Sequence, residues 1–172
     1  IQMLQFNLPE NWTIYVKEHP DQNLTFGRSL GFYKRILRYP NVQIVSNSFS
    51  SKELMINSKV LATVTGSIGL EALLYEKPVF IFGEIYYSHL TGAFKINSNK
   101  DLNKAFSDVS SAFTFNKKNV IDSLKKININ IYKGYTDEFY EIKSKYKFDE
   151  NIKNLAFNIF EKIKSKKIIK KW

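Results

Sequence analysis

Two short segments constrain the fold of this chain more than any other feature: Val60–Val64 (VLATV) and Val79–Phe82 (VFIF). A strand with one face in water alternates apolar and polar side chains, whereas a strand covered on both faces does not. Neither segment alternates, so both predict interior strands of a parallel sheet. Thr13–Val16, Val42–Val45 and a weaker Ala93–Ile96 add further β-branched or aromatic runs. Between them lie helix-like stretches at Ser29–Arg38, Ser51–Asn57 and Ser67–Tyr75. Each begins at or beside a serine, a preferred N-cap residue. Ser50-Ser51-Lys52-Glu53 approaches a capping box. Strands alternating with helices predict βαβ units. From Ser98 onward the pattern is helical and charged, with helices expected over Lys100–Ala112, Lys117–Lys126, Asp137–Lys145 and Glu150–Lys166. The expected fold class is α/β. It has three layers around a mainly parallel sheet in residues 1–115, and a helical C-terminal extension, residues 116–172, packing on the same domain.

Composition narrows the function classes. The 172 residues suffice for one domain with a real core, and 44% hydrophobic content argues against disorder. No run of about 18 apolar residues predicts a transmembrane helix. The opening residues lack the basic leader and cleavage site of a signal peptide. Beginning on Ile rather than Met, the chain reads as a segment of something longer. With no Cys, disulfides and thiolate metal sites are excluded. The net charge of +10 attracts anions such as nucleotides, nucleic acids or acidic lipids; the plainer reading is lysine spread over a solvated surface. Lys162–Lys171 is the densest basic run. Ile159–Trp172 is expected to form a basic helix, with six Lys interleaved with Ile163, Ile168 and Ile169, able to touch an anionic membrane face.

Three motifs can carry chemistry. Tyr15-Val16-Lys17-Glu18-His19-Pro20 ends a strand, and ligands of open α/β sheets sit outside the carboxyl ends of strands. Pro20 stops the strand and holds His19 extended, able to donate a hydrogen bond to a phosphate oxygen. A histidine packed in a turn is the plainer reading. Thr65-Gly66-Ser67-Ile68-Gly69-Leu70-Glu71 follows a buried strand and opens a helix. There, free N–H groups and the helix dipole favour an anion. Gly66 allows close approach, Gly69 tight helix packing, and Thr65 and Ser67 add hydroxyls. Glu71, one turn beyond Ser67, can accept from ribose hydroxyls. A serine cap with a solvent-facing glutamate is the plainer alternative. Neither a Walker loop nor G-x-G-x-x-G is present. Phe82-Gly83-Glu84-Ile85-Tyr86-Tyr87-Ser88-His89 either lines a cleft or packs as an aromatic loop. Nothing has metal-ligand spacing, and hydrolase nucleophile motifs are absent.

VKEHP, NVQIV, SKELMINSKVLATVTGSIGLEAL and KPVFIFG followed by YY, in that order, resemble the capsule polysaccharide biosynthesis family. That family includes Kdo transferases with the GT-B fold, and the likeness runs from about Leu8 to about Lys104. It implies the Rossmann-like C-terminal, donor-binding domain of a two-domain enzyme that works on surface polysaccharide. His19 matches the histidine that contacts the donor phosphate, Thr65 and Ser67 the hydroxyl residues at the phosphate-binding helix, and Glu71 the acidic residue on the ribose. The loop Ser46–Ser51 falls where the base lies, and Lys17 and Arg28 are charge partners for a CMP-type donor. The implied partners are a nucleotide sugar, a polysaccharide or lipid-linked acceptor, and a missing N-terminal acceptor domain. No cofactor, metal or nucleic acid is implied, the catalytic base is unassigned, and the location is cytoplasmic or peripheral at the inner membrane. GT-B donor domains carry one strand before the HP strand, central in the sheet. Here Ile1–Leu8 looks like the tail of the intervening helix, so Thr13–Val16 and Val60–Val64 should either pair or leave a gap. Two other readings stay open: a GT-B relative that epimerises or hydrolyses a nucleotide sugar, and a basic nucleic-acid-binding module lacking any RRM, KH or helix-turn-helix signature.

Overall fold

The computed structural model describes residues 1–19, 27–111, 113–128, 134–135 and 144–165. Among these, five strands and seven helices follow in the order α1 (Gln2–Phe6), β1 (Ile14–Lys17), α2 (Leu30–Ile36), β2 (Val42–Val45), α3 (Ser51–Asn57), β3 (Leu61–Thr63), α4 (Ile68–Leu74), β4 (Val79–Ile81), β5 (Ala93–Lys95), α5 (Asn99–Ser110), α6 (Lys117–Asn128) and α7 (Phe148–Ser165). The α/β class and the parallel strands are as the sequence predicts. Pro20 and 166–172 lie outside the described residues, as does the helix expected over Asp137–Lys145 apart from Ser144 and Lys145. No helix among the described residues is long and apolar enough to cross a membrane.

The strands form two small sheets. β1 pairs with β2 in parallel, Ile14 opposite Val42. β3, β4 and β5 form a second parallel sheet, with Leu61 opposite Val79 and Val79 opposite Ala93. β1 and β3 are not hydrogen-bonded neighbours, so of the two arrangements expected for them the gap is realised.

The chain divides into two compact units, Ile1–Ser123 and Leu124–Trp172. In the first, β4 is buried on both faces, as its unbroken apolar run requires. Phe80 points to one side, where α5 supplies Leu102, Ala105 and Phe106, and Met3, Leu4 and Leu8 from α1 and its exit pack against the same cluster. Phe80 meets Phe106 and Phe94 edge-to-face, at centroid separations of 5.0 and 5.8 Å. The pleat turns Val79 and Ile81 the opposite way, and α4 packs on β3 and β4. Serine caps start the helices: Ser29 accepts from the Phe32 N–H, Ser50 from Glu53 and Ser98 from Asp101.

In the second unit, Asn151 of α7 is buried and closes a two-bond ring with the backbone of Tyr135. Its amide donates to the carbonyl and its oxygen accepts from the N–H, both at 2.8 Å. Gly134, at φ +152°, lets the chain pass close to Leu155 and Asn151, where a Cβ would come within 3 Å of both.

Candidate functional site

The gap between the two sheets is a cavity of about 900 Å³. Consecutive residues of both flanking strands line it, Thr13–Lys17 on one side and Lys59–Thr63 on the other. The hydrogen-bond pattern explains why. Ile14 donates to Asn41, so Ile14 and Val16 face β2 and the alternate backbone groups of Tyr15 and Lys17 turn into the gap. Leu61 donates to Pro78 and Thr63 accepts from Phe82, so both face β4, and those of Ala62 turn into the gap from the other side.

At the carboxyl ends of β1 and β3 the cavity wall holds Lys17, Glu18 and His19 from one strand and Gly66, Ser67 and Glu71 from the other. Five of the seven residues singled out from sequence and resemblance therefore meet in one crevice: Lys17, His19, Gly66, Ser67 and Glu71. Thr65 and Arg28 are not in its wall. The Thr65 methyl lies against Gly83, where an added Cβ would sit 2.9 Å from it. Arg28 reaches Glu18, its Nε 3.2 Å from the carboxylate, and stacks over Phe32 at 4.4 Å. Glu18 also accepts from the Tyr33 hydroxyl at 2.8 Å, and that bond raises the Tyr33 pKa. Glu18 is thus a tied carboxylate, and Arg28 neutralises it. Lys17 donates to the carbonyl of Asn47 at 3.2 Å and pins the loop Ser46–Ser51 beside the crevice.

The glycine turn is built differently from expectation. Its Gly66 N–H is not free: it donates to Thr63 Oγ1 at 3.0 Å. Ser67 stands at the N-cap of α4 with helical backbone angles (φ −61°, ψ −24°) and makes no side-chain cap hydrogen bond, while Glu71 is exposed, as the plainer reading of this turn expects. Tyr87, fully buried, donates its hydroxyl to the Gly66 carbonyl. Burial pushes its pKa up, which keeps the phenol protonated and a donor. The Tyr87 ring also fills the space that a side chain at Gly69 would need. Of the third motif, then, Tyr87 packs; Tyr86 and His89 are exposed, and none of the three lines the cavity. Glu84 pairs with Lys95.

Two cations in the cavity wall went unnoticed in the sequence, Lys52 and Lys59. Lys52 bonds the Tyr75 hydroxyl, which raises its pKa, and the Glu71 charge adds to the effect. Lys59 lies 4.9 Å from the Trp12 ring. With Lys17 they outnumber Glu71 and the neutralised Glu18, so the crevice favours an anion. Among the described residues no group of three or more His, Cys, Asp or Glu could hold a metal ion.

The family described as capsule polysaccharide biosynthesis protein matches residues 2–132, which span both sheets and every residue of the cavity wall but Ile1. The chain belongs to this family. A curated relative, the capsule polysaccharide modification protein LipA of Neisseria meningitidis serogroup A, is 32% identical over 88 residues. That stretch covers 50% of this chain but 12% of LipA, so the chain matches a small part of a much longer protein. No solved structure matches the chain. The family match extends beyond the Leu8–Lys104 stretch that carries the motifs and takes in all of α1, α5 and α6.

Proposed function

We propose that this member of the capsule family is the nucleotide-sugar-binding part of a glycosyltransferase that assembles capsule or another surface polysaccharide, with a CMP-type donor favoured. One observation carries the reading: Lys17 and His19 from β1 share a single crevice with Gly66, Ser67 and Glu71 from the β3–α4 turn. Two strands that end together at their carboxyl ends are where open α/β sheets bind ligands. A cavity of about 900 Å³ is within the range for small-molecule sites. The gap itself suits a GT-B donor domain, which has one more strand at that point in its sheet.

In this reading a phosphate lies between His19 and Ser67, with Lys17 as the nearest fixed cation, and Glu71 accepts from ribose hydroxyls. In transfer, the bond between the anomeric carbon and the phosphate oxygen breaks as the acceptor oxygen bonds that carbon. The protein's part is to stabilise the charge gathering on the departing phosphate. The acceptor proton needs a base within hydrogen-bond reach. Glu18 is held by Arg28 and Tyr33, and Glu71 is assigned to the ribose, so the reading takes base and acceptor site from outside this chain. It follows that the chain alone binds nucleotide without transferring sugar.

Titration calorimetry with CMP, CDP, UDP and GDP tests the binding, and a transfer assay with the full-length protein tests the chemistry. Binding of at least one nucleotide, cytidine forms best, is expected. No heat with any of the four sinks the reading, and turnover by the chain alone at the rate of the full-length protein sinks the division of labour.

A further inference from the structure

Helix α7 carries apolar side chains on its exposed surface as well as on its packed face. The face that packs within its unit is mixed: Asn151 is buried, and Asn154, Leu155 and Asn158 follow it on the same side at half-buried positions. The adjoining arc holds Ile152, Ile159 and Ile163, spaced so that they stand one above another on the helix, with Phe160 and then Phe157 further round, away from the packed face. All five are exposed, Ile159 and Phe160 by more than half of their surface. Several large apolar side chains on one stripe mark a surface that something covers.

The charge around the stripe says what. Residues 144–172 carry nine Lys against Asp149, Glu150 and Glu161, a net charge of +6. Lys153 and Lys164 lie between Phe160 and Phe157 on the helix, and six of the lysines crowd into the stretch from Lys162 onward. A second copy of the chain would bring another +6 against the first, a repulsive arrangement. An anionic bilayer surface offers the opposite charge and an apolar layer at the depth the Ile and Phe side chains can reach.

We propose that the exposed face of α7 is a membrane-docking surface that lies in the headgroup region of an anionic bilayer. Ile159, Phe160 and Ile163 enter the acyl boundary, and Lys153 and Lys164 contact lipid phosphates. Each cationic side chain near such a surface adds attraction that salt screens, whereas burial of the stripe does not depend on salt. The proposal stands on α7 alone and is independent of the nucleotide reading.

The test is co-sedimentation of the full 172-residue chain with vesicles of phosphatidylglycerol and phosphatidylcholine, beside vesicles of phosphatidylcholine alone, at low and high salt. The comparison variant is Ile159→Gln with Phe160→Gln, which leaves the packed Asn151 side of the helix untouched. Wild type is expected to bind the anionic vesicles and not the neutral ones, and the double variant to bind them at least tenfold more weakly, with an unchanged circular dichroism spectrum. Variant binding equal to wild type would overturn the apolar stripe's role, leaving charge alone. Failure of wild type to bind anionic vesicles would overturn the proposal outright. So would a wild-type dimer in sedimentation velocity that the double variant converts to monomer, since the stripe would then be a contact between copies.

Discussion

Gly69→Ala tests how the glycine turn is built. Gly69 lies in the first turn of α4, is buried, and has no positive φ that would demand glycine. On helix propensity alone, alanine should stabilise α4 by about 1 kcal/mol. The structure predicts the reverse. A Cβ there would come within 2.8 Å of Tyr87 Cζ and 2.9 Å of Cε2, and nearer still to the hydroxyl oxygen. Tyr87 is fully buried and has nowhere to go without moving its neighbours. Overpacking of this kind costs about 1–3 kcal/mol. Displacing the ring also breaks the Tyr87–Gly66 hydrogen bond, which adds about 1 kcal/mol. The opposing terms leave a net loss of about 1–3 kcal/mol, equivalent to a Tm lower by roughly 2–4 °C for each kcal/mol in a chain of this size. Differential scanning fluorimetry of wild type, Gly69→Ala, Tyr87→Phe and the double variant measures it. Removing the hydroxyl relieves the closest contact, so the double variant should lose less than the sum of the singles. A Gly69→Ala protein with a higher Tm than wild type would refute the reasoning, because propensity would have outweighed the packing.

The remaining predictions concern the rest of the chain. Asn151→Ala strips both hydrogen bonds from the backbone of buried Tyr135 and should cost about 2–6 kcal/mol, since each orphaned group costs about 1–3 kcal/mol; an unchanged denaturation midpoint would contradict it. The Asp101 carboxylate accepts from the Ser98 hydroxyl and the Asn97 N–H, which hold its pKa below the usual carboxylate value. A depressed folded pKa contributes stability that is present above about pH 4 and lost as the pH falls through the folded value. Asp101→Asn should therefore flatten the acid limb of the stability curve below about pH 4, and an unaltered limb would show the cap has no such part. Hydrogen exchange should be faster at the amides of Tyr15 and Ala62, which face the gap, than at Val16, Leu61 and Thr63, which face neighbouring strands; equal rates would mean that the gap is filled.

Local order was legible because local chemistry sets it. Val42–Val45 and Ser51–Asn57 have the bounds that composition and the Ser50 cap predict, and the other described strands shift by a residue or two. Strand pairing was not legible as a single answer. An apolar run such as Val79–Ile81 says that both faces are covered, not which strand lies alongside, so the split into two sheets waited on the structure. The site shows the same division. His19, Ser67 and Glu71 stood out because they punctuate strand ends. Thr63 escaped notice because a threonine inside an apolar strand looks like any β-branched residue, yet it holds the Gly66 N–H. Tyr87 read as one ring among several, since nothing local reveals that it ends beneath Gly66. Lys52 resembled any solvated lysine in a first helical turn. Arg28 entered on resemblance alone; its pairing with Glu18 is a tertiary matter.

The most direct test of the central claim is a pair of calorimetric titrations with the best-binding nucleotide, on wild type and on His19→Ala. His19 lines the crevice that the reading gives to the phosphate, and losing one hydrogen bond to a charged group costs about 1–3 kcal/mol. The predicted result is a dissociation constant raised roughly 5- to 150-fold with the circular dichroism spectrum and Tm unchanged. Equal affinity in the two proteins, with the fold intact, would contradict the claim that this crevice binds the donor phosphate.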